Sequence, residues 1–175
     1  LYLSFSRKLP IFGISRFTGL DNYLFLFRDE RFWNAFGNTF YFTVSSVSVE
    51  LIIGFAVALL LHQTFPLRGL VRAIVLVPWA LPTVVSAKMW EWMYNTDFGV
   101  LNYLLGSKVN WLGNPFWALH AAVFMDVWKT TPFVAILLMA GLQVIPKDLY
   151  QAARVDGAGG WDILRRITLP LLTPV

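Results

Sequence analysis

Long apolar runs divided by short polar stretches set the pattern of this chain, and three of the runs are long enough to cross a bilayer. Residues 40–61 carry a single charge, Glu50, and as a helix they would cover about 33 Å. Residues 70–92 form the second run, free of charge from position 73 to 87 and flanked by Arg72 and Lys88. Pro78 and Pro82 lie inside it and should kink or break that helix, which a bundle tolerates where neighbours satisfy the freed carbonyls. Residues 116–142 form the third, long enough to tilt, with Asp126 and Lys129 inside it. Trp90, Trp92, Tyr94, Trp111 and Trp117 cluster at two helix ends, as an interfacial aromatic belt would. The pattern predicts an all-α, polytopic transmembrane helix bundle.

Composition agrees. Of 175 residues, 57% are hydrophobic and 14% charged, against about 45–50% and about 25% in an ordinary soluble domain. Zero cysteine removes disulfides, thiolate metal sites and cysteine nucleophiles. His62 and His120 are too few and too far apart for a metal site. A net charge of +4, scattered along the chain, is no nucleic-acid footprint. Lys and Arg divide evenly between the two sides of the spans, with Arg7, Lys8, Arg16, Arg28, Arg31 and Lys108 facing one way and Arg68, Arg72, Lys147, Arg154, Arg165 and Arg166 the other. The positive-inside rule therefore does not orient the protein.

At the ends, the first six residues read as the tail of a hydrophobic helix severed from a longer chain, and residues 163–175 as the approach to a further span. Between positions 15 and 38, mixed charge beside aromatics fits either an amphipathic stretch in the membrane interface or a solvated loop.

Polar groups inside the runs demand partners, because a charge in hydrocarbon costs about 2.5–3.5 kcal/mol on insertion scales. Glu50 and Lys129 fall at similar depth, and Asp126 and Lys129 share a helix face by their i, i+3 spacing. The expectation is an intramembrane charge network in which Asp126, Glu50 or both neutralise Lys129. That network serves either as a structural ion pair or as a site where Lys129, Thr130 and Thr131 offer donors to a hydroxylated solute. Pro132 frees the Trp128 carbonyl, as a plain kink or as backbone exposed to a substrate. Gly54 and Ala58 form a small-xxx-small pair. His120 reads as a structural residue bonded near its helix end.

The stretch 143–170 is too polar to span and rich in alanine. Pro146 suits a first helical turn and Asp148 complements its positive end, with Leu149, Ala152 and Ala153 on one face. Asp156-Gly157 stops that helix, since glycine takes the left-handed conformation that other residues avoid. Residues 161–167 then form a second short helix. On physical grounds alone this is either a docking elbow or an ordinary amphipathic connector.

The spacing Gln151-Ala152-Ala153, three residues, Gly157, nine residues, Ile167-Thr168-Leu169-Pro170 resembles the EAA loop of ABC-importer permeases, signature EAA, three residues, G, nine residues, I-x-L-P. Asp156 and Ala158 fit the same loop. Residues 126–133, DVWKTTPF, and 140–146, AGLQVIP, resemble the maltose-type, binding-protein-dependent sugar permeases, as do 19–23, GLDNY, and 50–54, ELIIG. The chain departs at one point: Gln151 stands where the family has glutamate, keeping the hydrogen bonds and losing the charge.

The resemblance implies the type I ABC-importer permease fold, present as a partial chain in a bacterial or archaeal cytoplasmic membrane. It divides the chain into residues 1–37, a helix tail and extracytoplasmic interfacial segment; 38–142, three transmembrane helices; 143–170, the cytoplasmic coupling loop; and 163–175, the approach to the next helix. It implies a sugar, of di- or oligosaccharide size, delivered by an extracytoplasmic solute-binding protein and moved by alternating access. The expected partners are a dimer of ATPase subunits, a second and different permease subunit, and membrane lipid. ATP and Mg belong to the ATPase chains, and no cofactor is expected on this one, which holds no GxxxxGK[ST] phosphate loop. Gln151, Ala152, Ala153, Asp156, Gly157 and Ala158 are the implied coupling residues, and Thr130 and Phe133, beside Lys129, the implied sugar contacts. The competing readings are a secondary transporter running protons through Asp126, Lys129 and Glu50, and a membrane scaffold without transport. An enzyme is disfavoured for want of a nucleophile–base pair.

Overall fold

A computed structural model describes residues 2–9 and 14–173. Position 1 and positions 174 and 175, the extremes of the expected helix tail and of the expected approach to a further span, lie outside the described residues. The chain divides into two compact units, Leu1–Thr43 and Val44–Val175.

In the first unit a 3-10 turn, Tyr2–Phe5, leads into strand β1, Ser6–Leu9, which pairs antiparallel with β2, Ile14–Phe17, from Ser6 opposite Phe17 to Leu9 opposite Ile14. The sequence pattern predicted no strand here. Positions 2–6 thus form a turn and the start of a strand where a helix tail was expected. Helix α1, Asp21–Arg28, follows, with Asp21 at its positive end and Arg28 at its negative end. Asn22 Nδ2 donates to Ser4 O at 2.8 Å and ties α1 to the turn.

Helix α2, Glu30–His62, is 33 residues long and is started by Asp29, whose Oδ1 accepts from Arg31 N at 2.9 Å. Its buried stripe in the second unit is Ser46, Glu50, Gly54, Ala58 and Leu61, spaced by four, four, four and three. Leu51, Ile52 and Leu60 stay exposed. Small and polar residues inside with large apolar ones outside is the reverse of a soluble helix and the arrangement a membrane bundle requires. Helix α6, Pro115–Val144, is started by Asn114, which accepts from Phe116 N at 2.9 Å, and by Pro115 in its first turn. Gly54 allows α2 and α6 to touch: a Cβ there would stand 2.8 Å from Val134 Cγ1 and 3.4 Å from Ala135 N. Ala58, Leu142, Ile145 and Leu172 close one apolar cluster at the far end of that seam.

Both α2 and α6 are long and apolar enough to cross a membrane. The run expected to span at 70–92 is instead two helices, α3, Arg68–Ala80, and α4, Thr83–Met93, meeting at an 88° bend. Pro78 and Pro82 each remove a backbone donor, and Pro82 caps α4 by accepting from Ser86 N at 3.0 Å. A proline break was foreseen; a right angle was not.

A short helix α5, Val100–Leu105, lies between α4 and α6. Buried Asn102 fastens this connection, donating to Thr96 O and Val109 O and accepting from Val109 N and Trp111 Nε1. Tyr94 OH donates to Ala121 O at 3.0 Å, and burial pushes that phenol up to about 12, so the donor keeps its proton.

Candidate functional site

Three polar features stand out along α6, and the first departs from expectation. Asp126 and Lys129 do share a face, but Lys129 Nζ donates to Leu81 O at 2.6 Å. The ion pairs among the described residues are Lys88 with Glu91, Lys108 with Asp97 and Arg166 with Asp162, so Lys129 is not neutralised by a carboxylate. The reason lies in the bend. Leu81 sits between α3 and α4, where its carbonyl finds no helical donor, and an ammonium within reach satisfies a part-buried acceptor that would otherwise lack a partner in the bundle. Glu50, 5% exposed, meets Asp126 side chain to side chain. Glu50 Oε1 has no hydrogen-bond partner. The network therefore divides into a carboxyl pair between α2 and α6 and a lysine that bridges α6 to the bend. Two prolines four residues apart were the sequence signal for that free carbonyl.

Beside this lysine, Thr130 is half-buried and Thr131 is buried with Oγ1 unpartnered. Phe133 is partly exposed and stacks on Trp79 of α3, centroids 5.7 Å apart and planes within 12°. Trp90 packs edge-on against Trp128 at 5.5 Å with its Nε1 buried and unpartnered. The sequence marks Trp79 not at all and Trp90 only as part of an interfacial belt, whereas Trp90 is buried, because nothing in an apolar run distinguishes an aromatic that packs from one that lines a polar seam. Pro132 is absorbed within a continuous α6. His120 Nδ1 bonds Phe116 O at 2.7 Å, one turn back.

The elbow follows α6 directly. Helix α7, Lys147–Val155, starts after Pro146, with Asp148 in its first turn and Arg154 in its last. Asp156 closes it, and Gly157 turns the chain at φ 80°. Ala158 N then donates back to Ala153 O at 2.9 Å and Gly157 N to Arg154 O at 3.1 Å, completing the glycine stop. Gln151, Ala152, Asp156 and Gly157 are exposed, and Ala153 and Ala158 partly so. Beyond the turn come α8, Gly160–Ile163, a π-helical turn Leu164–Thr168, and α9, Leu169–Leu172. The second short helix expected at 161–167 thus widens partway. Pro170 cannot donate to Arg166 O and would crowd it, whereas the wider turn lets Leu169 N bond Leu164 O, five residues back. An open cleft of about 510 Å³ runs along the elbow between Ala153, Gly157, Ile163 and Arg166. Small side chains at its tip leave room for a partner's surface to approach the backbone.

Residues 50–175 match the family model described as the binding-protein-dependent transport system inner membrane component. The chain is 48% identical, over 99% of its length, to the trehalose/maltose transport system permease protein MalF of Thermococcus litoralis. It is 39% identical, over 99%, to the trehalose transport system permease protein SugA of Mycobacterium tuberculosis. It spans 60% and 57% of those two relatives. Among solved structures, it resembles at 29% identity and a TM-score of 0.80 a chain from a bacterial ABC transporter involved in the import of the acidic polysaccharide alginate, with 89% of this chain and 57% of that one aligned. The chain therefore belongs to the family of binding-protein-dependent transport system inner membrane components.

Proposed function

We propose that this chain is the membrane-spanning part of a permease subunit in an ATP-driven sugar importer. Its solute is a di- or oligosaccharide handed over by an extracytoplasmic binding protein, and its ATP is hydrolysed by separate subunits. The relatives named for trehalose, for maltose and for alginate support the solute class. The observation that carries the proposal is the elbow: an exposed alanine helix, a left-handed glycine at position 157 and a second helical run, in the family's spacing and directly after a spanning helix.

In this reading the elbow lies on the cytoplasmic side of a bacterial or archaeal cytoplasmic membrane and seats in a cleft of the ATPase dimer. Gln151, Ala152, Ala153, Asp156, Gly157 and Ala158 form the seat. By parity α2 and α6 run inward together, the bent pair α3–α4 serves as the third crossing, and the connection through α5 faces outward. ATP-driven closure of the motor moves the elbow, and α6 carries that movement to the bundle. A second, different permease subunit completes the pathway. Lys129, Thr130 and Phe133 line the solute route of α6, where the ammonium that bonds Leu81 O links that route to the bend.

Reconstitution of the whole transporter with its binding protein tests the proposal. Trehalose or maltose is expected to stimulate ATP hydrolysis and uptake, and an amino acid is not. Uptake that collapses with the proton gradient and ignores ATP depletion would make the chain a secondary transporter instead.

A further inference from the structure

At the end of the bundle that carries the elbow, basic side chains gather without acidic partners. Arg68 Nε donates to Leu61 O at 2.6 Å and Arg72 Nη2 reaches the same carbonyl at 3.3 Å, tying the start of α3 back to the last turn of α2. His62 follows Leu61, and the charges of Arg68, Lys147 and Arg72 all bear on its imidazole. Lys147 comes from α7. It reaches this end because Ala58, Leu142 and Ile145 pack together and hold the ends of α2 and α6 side by side. None of these four takes part in an ion pair among the described residues, and Asp148, next to Lys147, pairs with none of them.

Two polar atoms of the cluster remain unused: Arg72 Nε and His62 Nδ1 are buried with no hydrogen-bond partner. A guanidinium N–H without an acceptor is costly, and an anionic oxygen is its strongest acceptor. Apolar groups stand alongside. Leu67, between the two arginines and α2, is held at φ 61° and is 73% exposed, a backbone conformation that non-glycine residues seldom adopt. Leu70, in the first turn of α3, is exposed too. A free anion would gain nothing from these leucines, whereas a phospholipid offers phosphate to the cations and acyl chain to the leucines.

We infer that His62, Arg68, Arg72 and Lys147 form a cradle for the phosphate of an anionic phospholipid in the leaflet on the elbow side. The inference rests on the membrane reading above and adds a ligand at the hinge between the spans and the elbow. Bound there, the lipid would join the start of α3 to the start of α7.

The test uses the complete transporter in neutral detergent, offered equal amounts of phosphatidylglycerol and phosphatidylcholine, with retained lipid counted by native mass spectrometry. Phosphatidylglycerol is expected to be kept in preference, and Lys147→Gln or Arg72→Gln to reduce that preference on the order of fivefold each. Lys147 is exposed, so its variant tests charge with little demand on folding, and Arg72→Lys is expected to keep part of the preference. Equal retention of the two lipids, or a preference unchanged in both glutamine variants, overturns the inference. Displacement by millimolar inorganic phosphate in place of lipid overturns the choice of ligand. Sugar-stimulated ATP hydrolysis is read on the same samples. Its presence without any lipid preference overturns the cradle alone, and its absence overturns the transport proposal and leaves the lipid count to decide the cradle.

Discussion

Lys129 shows how one residue's chemistry is fixed by a distant piece of backbone. Its ammonium bonds Leu81 O across the bend at 2.6 Å, a hydrogen bond to a charged group, and such bonds contribute about 1.5–3 kcal/mol. Lys129→Met is expected to destabilise the purified protein by about that amount, read as a lower midpoint of thermal unfolding in detergent. An unchanged midpoint would show that the carbonyl finds another donor. Gly54 makes the complementary point about space. A Cβ there would stand 2.8 Å from Val134 Cγ1 and 3.1 Å from Val134 Cβ, so Gly54→Ala is expected to cost about 1–3 kcal/mol by overpacking. Val134→Ala in the same chain should restore part of that loss, and thermal unfolding of the single and double variants checks it. If Gly54→Ala alone melts like the parent protein, the seam is looser than described.

Among the elements, the elbow depends on one backbone angle. Nothing lies within 4 Å of a Cβ built on Gly157, yet its φ is 80°, so a substitution there suffers from conformation and not from crowding. Left-handed backbone costs a residue with a Cβ about 1–2 kcal/mol, and asparagine tolerates it best. Gly157→Val is expected to leave the spans inserted while separating ATP hydrolysis from uptake, and Gly157→Asn to keep most of the coupling. Equal coupling in both variants would count against the turn as a lever. This element was legible in the chain because a glycine stop, a proline start and an alanine face are local signals. The bend between α3 and α4 was half legible: Pro78 and Pro82 announce a break, but its angle is set by packing on α6. The hairpin of β1 and β2 was not legible, since its strands are four residues each and carry little alternation. The partner of Lys129 was misread because a count of charges attends to carboxylates and overlooks a carbonyl freed by a broken helix. Asn102 escaped notice for a similar reason, its four bonds running to backbone and indole groups that no motif marks.

On the scale of the whole molecule, the buried stripe of α2 and the exposed leucines around it state the solvent plainly: this is a membrane protein, and α2 and α6 are the two unbroken candidate spans among the described residues. The chain's remaining polarity is placed with purpose at a carboxyl pair, at a lysine of α6 that bonds the bend between α3 and α4, and at an elbow standing outside the apolar core. The central claim is that the elbow is gripped by a separate motor. The most direct measurement places a photo-crosslinker at Ala153 or Ala158 in the reconstituted transporter and identifies what is captured with and without ATP. The account predicts a crosslink to the nucleotide-hydrolysing subunit whose yield changes with ATP. Crosslinks that reach only lipid or other permease surface, in an assembly that still imports its sugar, would contradict it.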